Sequence, residues 1–317
     1  MNESPHYSES SHYRVRHVTS YEYGSDVVLS HQLLHLVPRP VHFQQCFEHS
    51  IEISPSAYRR RDEFDAFGNP VTRVELDHPH HRLAVTTEMQ VRVHRRPPAV
   101  AGDTLPWERV GNQLSYTGLP AAREHLEASR FRYESPYVRV KKMFTDYAES
   151  CFPADRPILE GSQELMSKLH CDFEYAPGET TVATPVTDLL KSRRGVCQDF
   201  AHLMIACLRS RGLAARYVSG YVRMLKAEDD GEEPEADAEE PEAGLVGGAA
   251  SHAWVSVYAP PFGWVDLDPT NDTYVGTDHV SIAWGRDFGD VSPLRGVILG
   301  GGRHSLEVQV SVERLGD

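Results

Sequence analysis

The stretch Gly195-Val-Cys-Gln-Asp-Phe-Ala-His-Leu-Met-Ile-Ala-Cys-Leu208 decides how the C-terminal part of the chain folds. Its apolar residues recur with the i, i+3, i+4, i+7 spacing of one helix face, and Gly212 ends the pattern. The sequence therefore predicts an amphipathic helix that begins at Cys197. Free N–H groups and the helix dipole stabilise negative charge in a first turn, so Cys197 is placed to form a thiolate and is the candidate nucleophile.

Two strands downstream supply a candidate base and a residue to orient it. His252 begins the alternating run His252-Ala-Trp-Val-Ser-Val-Tyr258, and Gly263-Trp-Val-Asp-Leu-Asp268 follows after a short connection. A hairpin that pairs residue 258 with residue 262 sets His252 directly opposite Asp268, within reach of a hydrogen bond. A register shifted by two would move the partner to Thr270, and an odd shift would separate the pair onto opposite faces.

Several nearby residues are weaker candidates for the same site. Gln198 and Asp199 can serve the oxyanion or cap the helix, or they can be ordinary first-turn residues, and Gln198 is also a weak candidate for substrate binding. Trp254 and Trp264 can line an acyl-binding groove or fill one face of the sheet, and the sequence favours neither. Asp266 shares a face with Asp268 and is a less favoured orienter, because the hairpin register sets it opposite Trp254.

The spacing of apolar residues divides the chain into two parts. Residues 12–98 are rich in alternating strands and predict an N-terminal antiparallel β domain, with a turn at Asp65-Ala-Phe-Gly-Asn-Pro70. Prolines 97 and 98 mark a linker. Residues 99–317 change to helical spacing and then to strands, the last of them 304–312, so the second part predicts helices packed on a sheet. The fold class is α+β.

Charge and composition exclude several function classes. The net charge of -14 is concentrated in residues 226–250, an acidic insertion poor in large apolar groups that predicts a flexible segment. The rest has no basic stripe for nucleic acid and no apolar run long enough for a membrane span, and we expect a cytoplasmic protein. The five cysteines form no CxxC pair, so neither a disulfide framework nor a zinc site is expected, and no cofactor or metal is implied.

Four motifs in order resemble the bacterial transglutaminase-like family, whose members are often described as cysteine proteases. They are Gly195 to His202, Gly212-Leu-Ala-Ala-Arg-Tyr-Val-Ser-Gly-Tyr221, Ser251-His-Ala-Trp254 and Gly263-Trp-Val-Asp-Leu-Asp-Pro-Thr-Asn271. The resemblance implies a papain-like core, preceded by the family's N-terminal β region. It also implies a triad of Cys197, His252 and Asp268. The acidic insertion ahead of His252 departs from the pattern and bears on access to the site.

The expected activity is acyl transfer by a cysteine nucleophile on amide bonds of peptides or proteins, through a thioester. Resolution by water gives a peptidase or amidase, and resolution by an amine gives a protein-glutamine gamma-glutamyltransferase; hydrolysis is slightly favoured. The alternative is a catalytically silent module that keeps the fold and binds peptides in its groove.

Overall fold

The computed structural model describes residues 9–116, 122–223 and 251–316, and the predicted insertion at 226–250 lies outside these ranges. The strands are β1 Ser10–Leu34, β2 Gln44–Ser54, β3 Arg59–Phe64, β4 Pro70–Leu76, β5 His80–His94, β6 Glu174–Tyr175, β7 Arg194–Gly195, β8 Ala215–Val222, β9 His252–Tyr258, β10 Trp264–Asp268, β11 Thr273–Tyr274, β12 His279–Gly285, β13 Leu294–Gly300 and β14 His304–Leu315. The helices are α1 Trp107–Gln113, α2 Arg123–Ser129, α3 Lys142–Tyr147, α4 Ile158–Asp172, α5 Val186–Ser192, α6 Cys197–Ser210 and α7 Phe288–Val291.

The first sheet is antiparallel and is organised around β1, with the path β2-β5-β1-β4-β3. Strand β1 runs for 25 residues and changes neighbours midway. Its first half pairs with β5 and β14, and its second half pairs with β4 and β13. The predicted turn at residues 65–70 is present: the Asp65 carboxylate accepts the amides of Phe67 and Asn69, and Gly68 adopts φ +75°.

The C-terminal strands β13 and β14 also belong to this first sheet. Residue pairs such as His17 with Val310 and His31 with Val297 join them to β1. The predicted division at residue 98 grouped the strand at 304–312 with the second part of the chain, and here the structure differs. Alternation identifies a strand but not its partner, so the return of the chain end to β1 is invisible in the sequence.

The second sheet has the order β11-β10-β9-β8-β12, and α6 packs against β8 and β9. Every residue of β8 and β9 is buried. Ala253, Val255 and Val257 lie in the core that includes α6, whereas Trp254 points the other way into a smaller cluster. The two faces of β9 are therefore both covered.

Residues of the first part hold the outer edge of β12 by its backbone. The side chain of Gln44 bonds both the N–H and the C=O of Ser281, and the side chain of Asn69 does the same at Trp284. Between them, the Arg39 amide donates to the carbonyl of Ile282. Because these bonds replace a missing neighbouring strand, the N-terminal part fixes the position of β12. Within the described ranges, none of the helices has the length and apolar composition needed to cross a membrane.

Candidate active site

Cys197 is the first residue of α6, as the sequence predicts. The chain turns into this helix after α5, which is capped by Arg193 in the left-handed conformation, φ +60°, with the Arg193 N–H bonded to the Leu189 carbonyl. The left-handed residue is therefore Arg193 and not the glycine two positions later, Gly195. Gly195 is needed for space instead: a Cβ there would lie 2.8 Å from Asp199 Oδ2 and 2.7 Å from Leu189 Cδ1.

Asp199 secures the start of α6. Its Oδ2 accepts the Val196 amide at 2.9 Å and the Thr180 hydroxyl at 2.6 Å. Burial raises the pKa of Asp199 although both hydrogen bonds lower it. Asp199 therefore orients the turn that carries Cys197, which is the capping alternative rather than the oxyanion one. Gln198, beside Cys197 on the same turn, is half-buried.

His252 and Asp268 are in direct contact. His252 Nε2 lies 2.7 Å from Asp268 Oδ2, and both side chains are fully buried. The Cys197 thiol lies close enough to the same imidazole to raise the pKa of His252. Nε2 faces the carboxylate, and Nδ1 is buried with no hydrogen-bond partner in the described part of the chain, so Nδ1 is the atom available to take the thiol proton. The Cys197 sulfur also lies 4.0 Å from the Ser251 carbonyl oxygen.

The contact forms in a register other than the predicted one. Tyr258 pairs with Trp264, not with residue 262, so the hairpin is shifted by two. Residues 259–263 form the connection, and Gly263 adopts φ +76°. Asp268 therefore reaches His252 diagonally, a separation that long side chains can bridge. Thr270, the partner expected for this shift, instead donates its amide to Asp268 Oδ1 at 3.0 Å.

Helix α4 braces the turn that follows Asp268. His170 Nδ1 lies 2.9 Å from the Thr270 carbonyl oxygen, and the Ser167 hydroxyl donates to Asp272 at 2.7 Å. The Asn271 side-chain amide donates to Asp268 Oδ2 at 2.7 Å. The carboxylate is thus held by its own turn as well as by His252.

Electrostatics favour a charged pair of His252 and Asp268. Burial alone would raise the pKa of Asp268, but the His252 charge and the hydrogen bonds from two imidazoles lower it below its ordinary 3.8. Burial alone would lower the pKa of His252, but Asp268 and Cys197 together raise it above its ordinary 6.5. The site therefore favours an imidazolium that can later release its proton.

A second imidazole shares the carboxylate. His279 Nε2 lies 3.2 Å from Asp268 Oδ2, and the Gly276 N–H donates to His279 Nδ1 at 3.4 Å. The atoms of His252, Asp268 and His279 that could ligate a metal lie within 4.8 Å of one another, a spacing that suits a metal ion. However, an Nδ1 that accepts a hydrogen bond leaves the proton on Nε2, so His279 presents a donor to Asp268 and not a free ligand lone pair. These residues fit a hydrogen-bonded cluster better than a metal site.

Nothing in the sequence marks His279 as a residue of the site. The chain has 17 histidines, and His279 lies eleven residues beyond Asp268 in no recognisable spacing. Strand β12, which His279 begins, is separated from β10 by β9 and β8 in the sheet, so no local pattern relates His279 to Asp268.

The tryptophans and Asp266 take structural positions. Trp254 is fully buried and donates its indole N–H to Asp266 Oδ2 at 3.2 Å, so it fills the sheet face. Asp266 also pairs with Arg96 Nη1 at 2.6 Å. Burial raises the pKa of Asp266, but Arg96 and Arg216 lower it overall. Asp266 therefore orients Trp254 rather than His252.

Trp264 lies at the opposite end of β10 from Asp268. The four-residue separation corresponds to about 13 Å along a strand. The half-buried ring packs edge-on against Phe131 and beneath the Arg216 guanidinium, whose central carbon is 4.2 Å from the ring centroid. The structure does not bring Trp264 to Cys197.

The chain belongs to the bacterial transglutaminase-like family. Residues 13–92 match the model of the bacterial transglutaminase-like N-terminal region, and residues 145–269 match the transglutaminase-like superfamily core. Both matches agree with the resemblance read from the motifs, and the core match contains Cys197, His252 and Asp268. Membership of this family supports cysteine-based catalysis.

One relative matches almost the whole chain. An uncharacterized protein of Mycobacterium tuberculosis (strain ATCC 25618 / H37Rv) is 36% identical over 313 residues, covering 96% of this chain and 93% of its own. A protein-glutamine gamma-glutamyltransferase of Pseudomonas aeruginosa is 32% identical over 115 residues, which are 34% of this chain and 16% of that protein.

The whole fold also has a solved counterpart. The crystal structure of "a Putative Cysteine Protease from Cytophaga hutchinsonii" superposes with a TM-score of 0.71 at 17% identity, covering 98% of this chain and 92% of that one. At this identity the likeness concerns the fold, and it agrees with the predicted α+β class: a β-rich N-terminal part and a transglutaminase-like core.

Proposed function

We propose that this protein is a cysteine-nucleophile acyl-transfer enzyme that cleaves amide bonds of peptides or proteins through a thioester on Cys197. The observation that carries the proposal is the position of the His252 ring. Its Nε2 is held at 2.7 Å from Asp268, its Nδ1 is buried without a hydrogen-bond partner among the described residues, and Cys197 lies near enough to raise the pKa of His252. A base, the group that orients it and a nearby nucleophile are thereby assembled.

Each chemical step has a residue to perform it. His252 Nδ1 takes the thiol proton, and the Cys197 sulfur bonds to the amide carbonyl carbon. The oxyanion that forms faces the unpaired N–H groups at the start of α6. As the C–N bond breaks, the imidazolium returns its proton to the leaving amine, which leaves a thioester. Asp268 stabilises the imidazolium throughout.

The acceptor in the second half decides the reaction class. Water attack, assisted by His252, releases the acid and free thiol; attack by an amine gives a new amide. We favour hydrolysis, and the partial similarity to a glutamyltransferase supports the second possibility. A test incubates the protein with a glutamine-containing peptide library and a labelled primary amine. Release of acid should outrun incorporation of label, and the reverse result would reassign the protein as a transamidase.

The alternative is a peptide-binding module without activity, and thiol reactivity separates the two. Iodoacetamide at neutral pH should alkylate Cys197 rapidly, with His252→Ala slowing the reaction by about 100-fold or more because the base is lost. His81→Ala is the matched control, since His81 forms an exposed pair with Asp26 at 2.9 Å. Mass spectrometry must assign the modified residue, because Cys171 is exposed and Cys46 is half-buried. A Cys197 as slow as a free thiol would favour the binding module.

The predicted cytoplasmic location is part of this proposal. Cell fractionation with an antibody to the protein tests it, and recovery outside the cytoplasm would overturn it.

A further inference from the structure

We infer that His279 is a positioning residue for the reaction: it shares the Asp268 carboxylate with His252 and so limits the basicity of the His252 imidazole. The inference rests on the proposed function and adds a fourth side chain to it. His279 reaches neither Cys197 nor a substrate directly, and it acts through Asp268.

The geometry makes one carboxylate oxygen the centre of a three-way contact. Asp268 Oδ2 lies 2.7 Å from His252 Nε2, 3.2 Å from His279 Nε2 and 2.7 Å from Asn271 Nδ2. The Gly276 N–H donates to His279 Nδ1, so the neutral ring carries its proton on Nε2 and donates it to Asp268. Each donor withdraws part of the carboxylate charge that would otherwise act on His252.

The choice of a neutral donor is chemically significant. An arginine or lysine at this position would neutralise Asp268 and weaken the imidazolium. With no donor there, more of the carboxylate charge would act on His252, which would hold its proton too tightly to protonate the leaving amine. A neutral imidazole lies between these extremes, which suits a base that must later act as an acid.

The fold fixes His279 on two sides. The Trp254 ring meets it edge-on, with centroids 5.4 Å apart, and Trp254 is itself held by Asp266. There is no spare room behind Trp254: a Cβ on Gly220 would lie 2.5 Å from its ring and 2.1 Å from the Val280 carbonyl oxygen. Strand β12, which begins at His279, is held by the bonds from Gln44, Arg39 and Asn69. The N-terminal part therefore contributes to the site through β12.

The ionisable groups facing His252 are Asp268 from β10, Cys197 from α6 and, across the shared carboxylate, His279 from β12. Behind Trp254, the Asp266 carboxylate is paired with Arg96. Removing His279 while keeping the other groups thus isolates its effect on the charge that His252 experiences.

The first test is made on the wild-type protein, so it does not depend on any variant folding. Nitrogen-15 NMR of histidine-labelled protein should show the His279 proton on Nε2, with Nδ1 unprotonated and accepting the Gly276 N–H. A proton on Nδ1 would overturn the inference. This result is independent of turnover, so it stands even if Cys197 proves unreactive and the proposed function fails.

The second test compares His279→Leu with His279→Gln, whose side-chain amide can donate from the position of Nε2. In His279→Leu the pKa of His252, followed by the same NMR, should rise by about half a unit or more, because a donor to Asp268 is lost. In His279→Gln it should stay within about 0.2 units. A purely structural role predicts no such difference. An unchanged or lowered pKa in His279→Leu, or an equal rise in both variants, would overturn the inference.

Discussion

The two sheets of this protein differ in how their faces are covered. In the first sheet, β1 and β5 alternate between buried and more exposed residues, and β14 is mostly exposed. In the second sheet, β8 and β9 are buried at every position. The candidate active site lies in the second. Charged groups on these buried strands are shielded from water, so they need hydrogen-bond or ion-pair partners within the protein.

The ion pairs show the same difference. Arg96 and Asp266 are 17% and 6% exposed, whereas Arg16 and Glu88 on the first sheet are 49% and 55% exposed. Removing Arg96 leaves the Asp266 carboxylate buried without its ion-pair partner. Removing Arg16 leaves Glu88 in contact with water. Three predictions test how far this contrast extends.

Arg96→Met should lower the free energy of unfolding by about 3 kcal/mol, because Asp266 would remain buried without its ion-pair partner. Arg16→Met, the matched change on the first sheet, should cost less than about 1 kcal/mol. Urea denaturation followed by circular dichroism measures both. Equal losses would mean that the two sheets do not differ in solvation as described.

Val255→Ala in β9 should cost about 2 kcal/mol, because Val255 is fully buried and its methyl groups leave a cavity. Val308→Ala in β14 removes the same atoms from a side chain that is 38% exposed, and should cost about 0.5 kcal/mol or less. The same denaturation experiment measures both variants. A large loss for Val308→Ala would show that this strand is covered in solution, by a second copy for example.

The smallest effect concerns pH. The folded-state pKa of His252 is raised above its ordinary 6.5, so the folded protein binds more protons than the unfolded chain as the pH rises from 6.5 toward that higher value. The stabilisation is complete below pH 6.5 and is lost as the pH rises. Wild type should lose up to about 1 kcal/mol per pH unit relative to His252→Gln.

The control for the pH experiment is His81→Gln, which replaces an exposed histidine outside the site. Parallel curves for wild type and His252→Gln between pH 6.5 and 8 would contradict the raised pKa. Unfolding at a series of pH values provides the measurement.

The sequence predicted those elements whose residue spacing matches the burial of their side chains in the structure. The alternation of β5 and β14, the turn at residues 65–70 and the helix beginning at Cys197 each follow from one face being apolar or from residues suited to a turn. The same reasoning selected Cys197, His252 and Asp268, three residues that the structure brings together. Residue type and motif order were sufficient for that selection.

Tertiary structure alone decided the register of the hairpin, the return of β13 and β14 to β1, and the place of His279. Strand β9 is buried on both faces, so its apolar pattern fits more than one register, and the five-residue connection at 259–263 selects the pairing of Tyr258 with Trp264. His279 meets Asp268 through a strand that pairs with β8 and is also bonded by the first part of the chain. The sequence determined which groups are chemically able to react. Long-range packing determined which of them share the Asp268 carboxylate, because contacts between distant strands are not visible in local residue spacing.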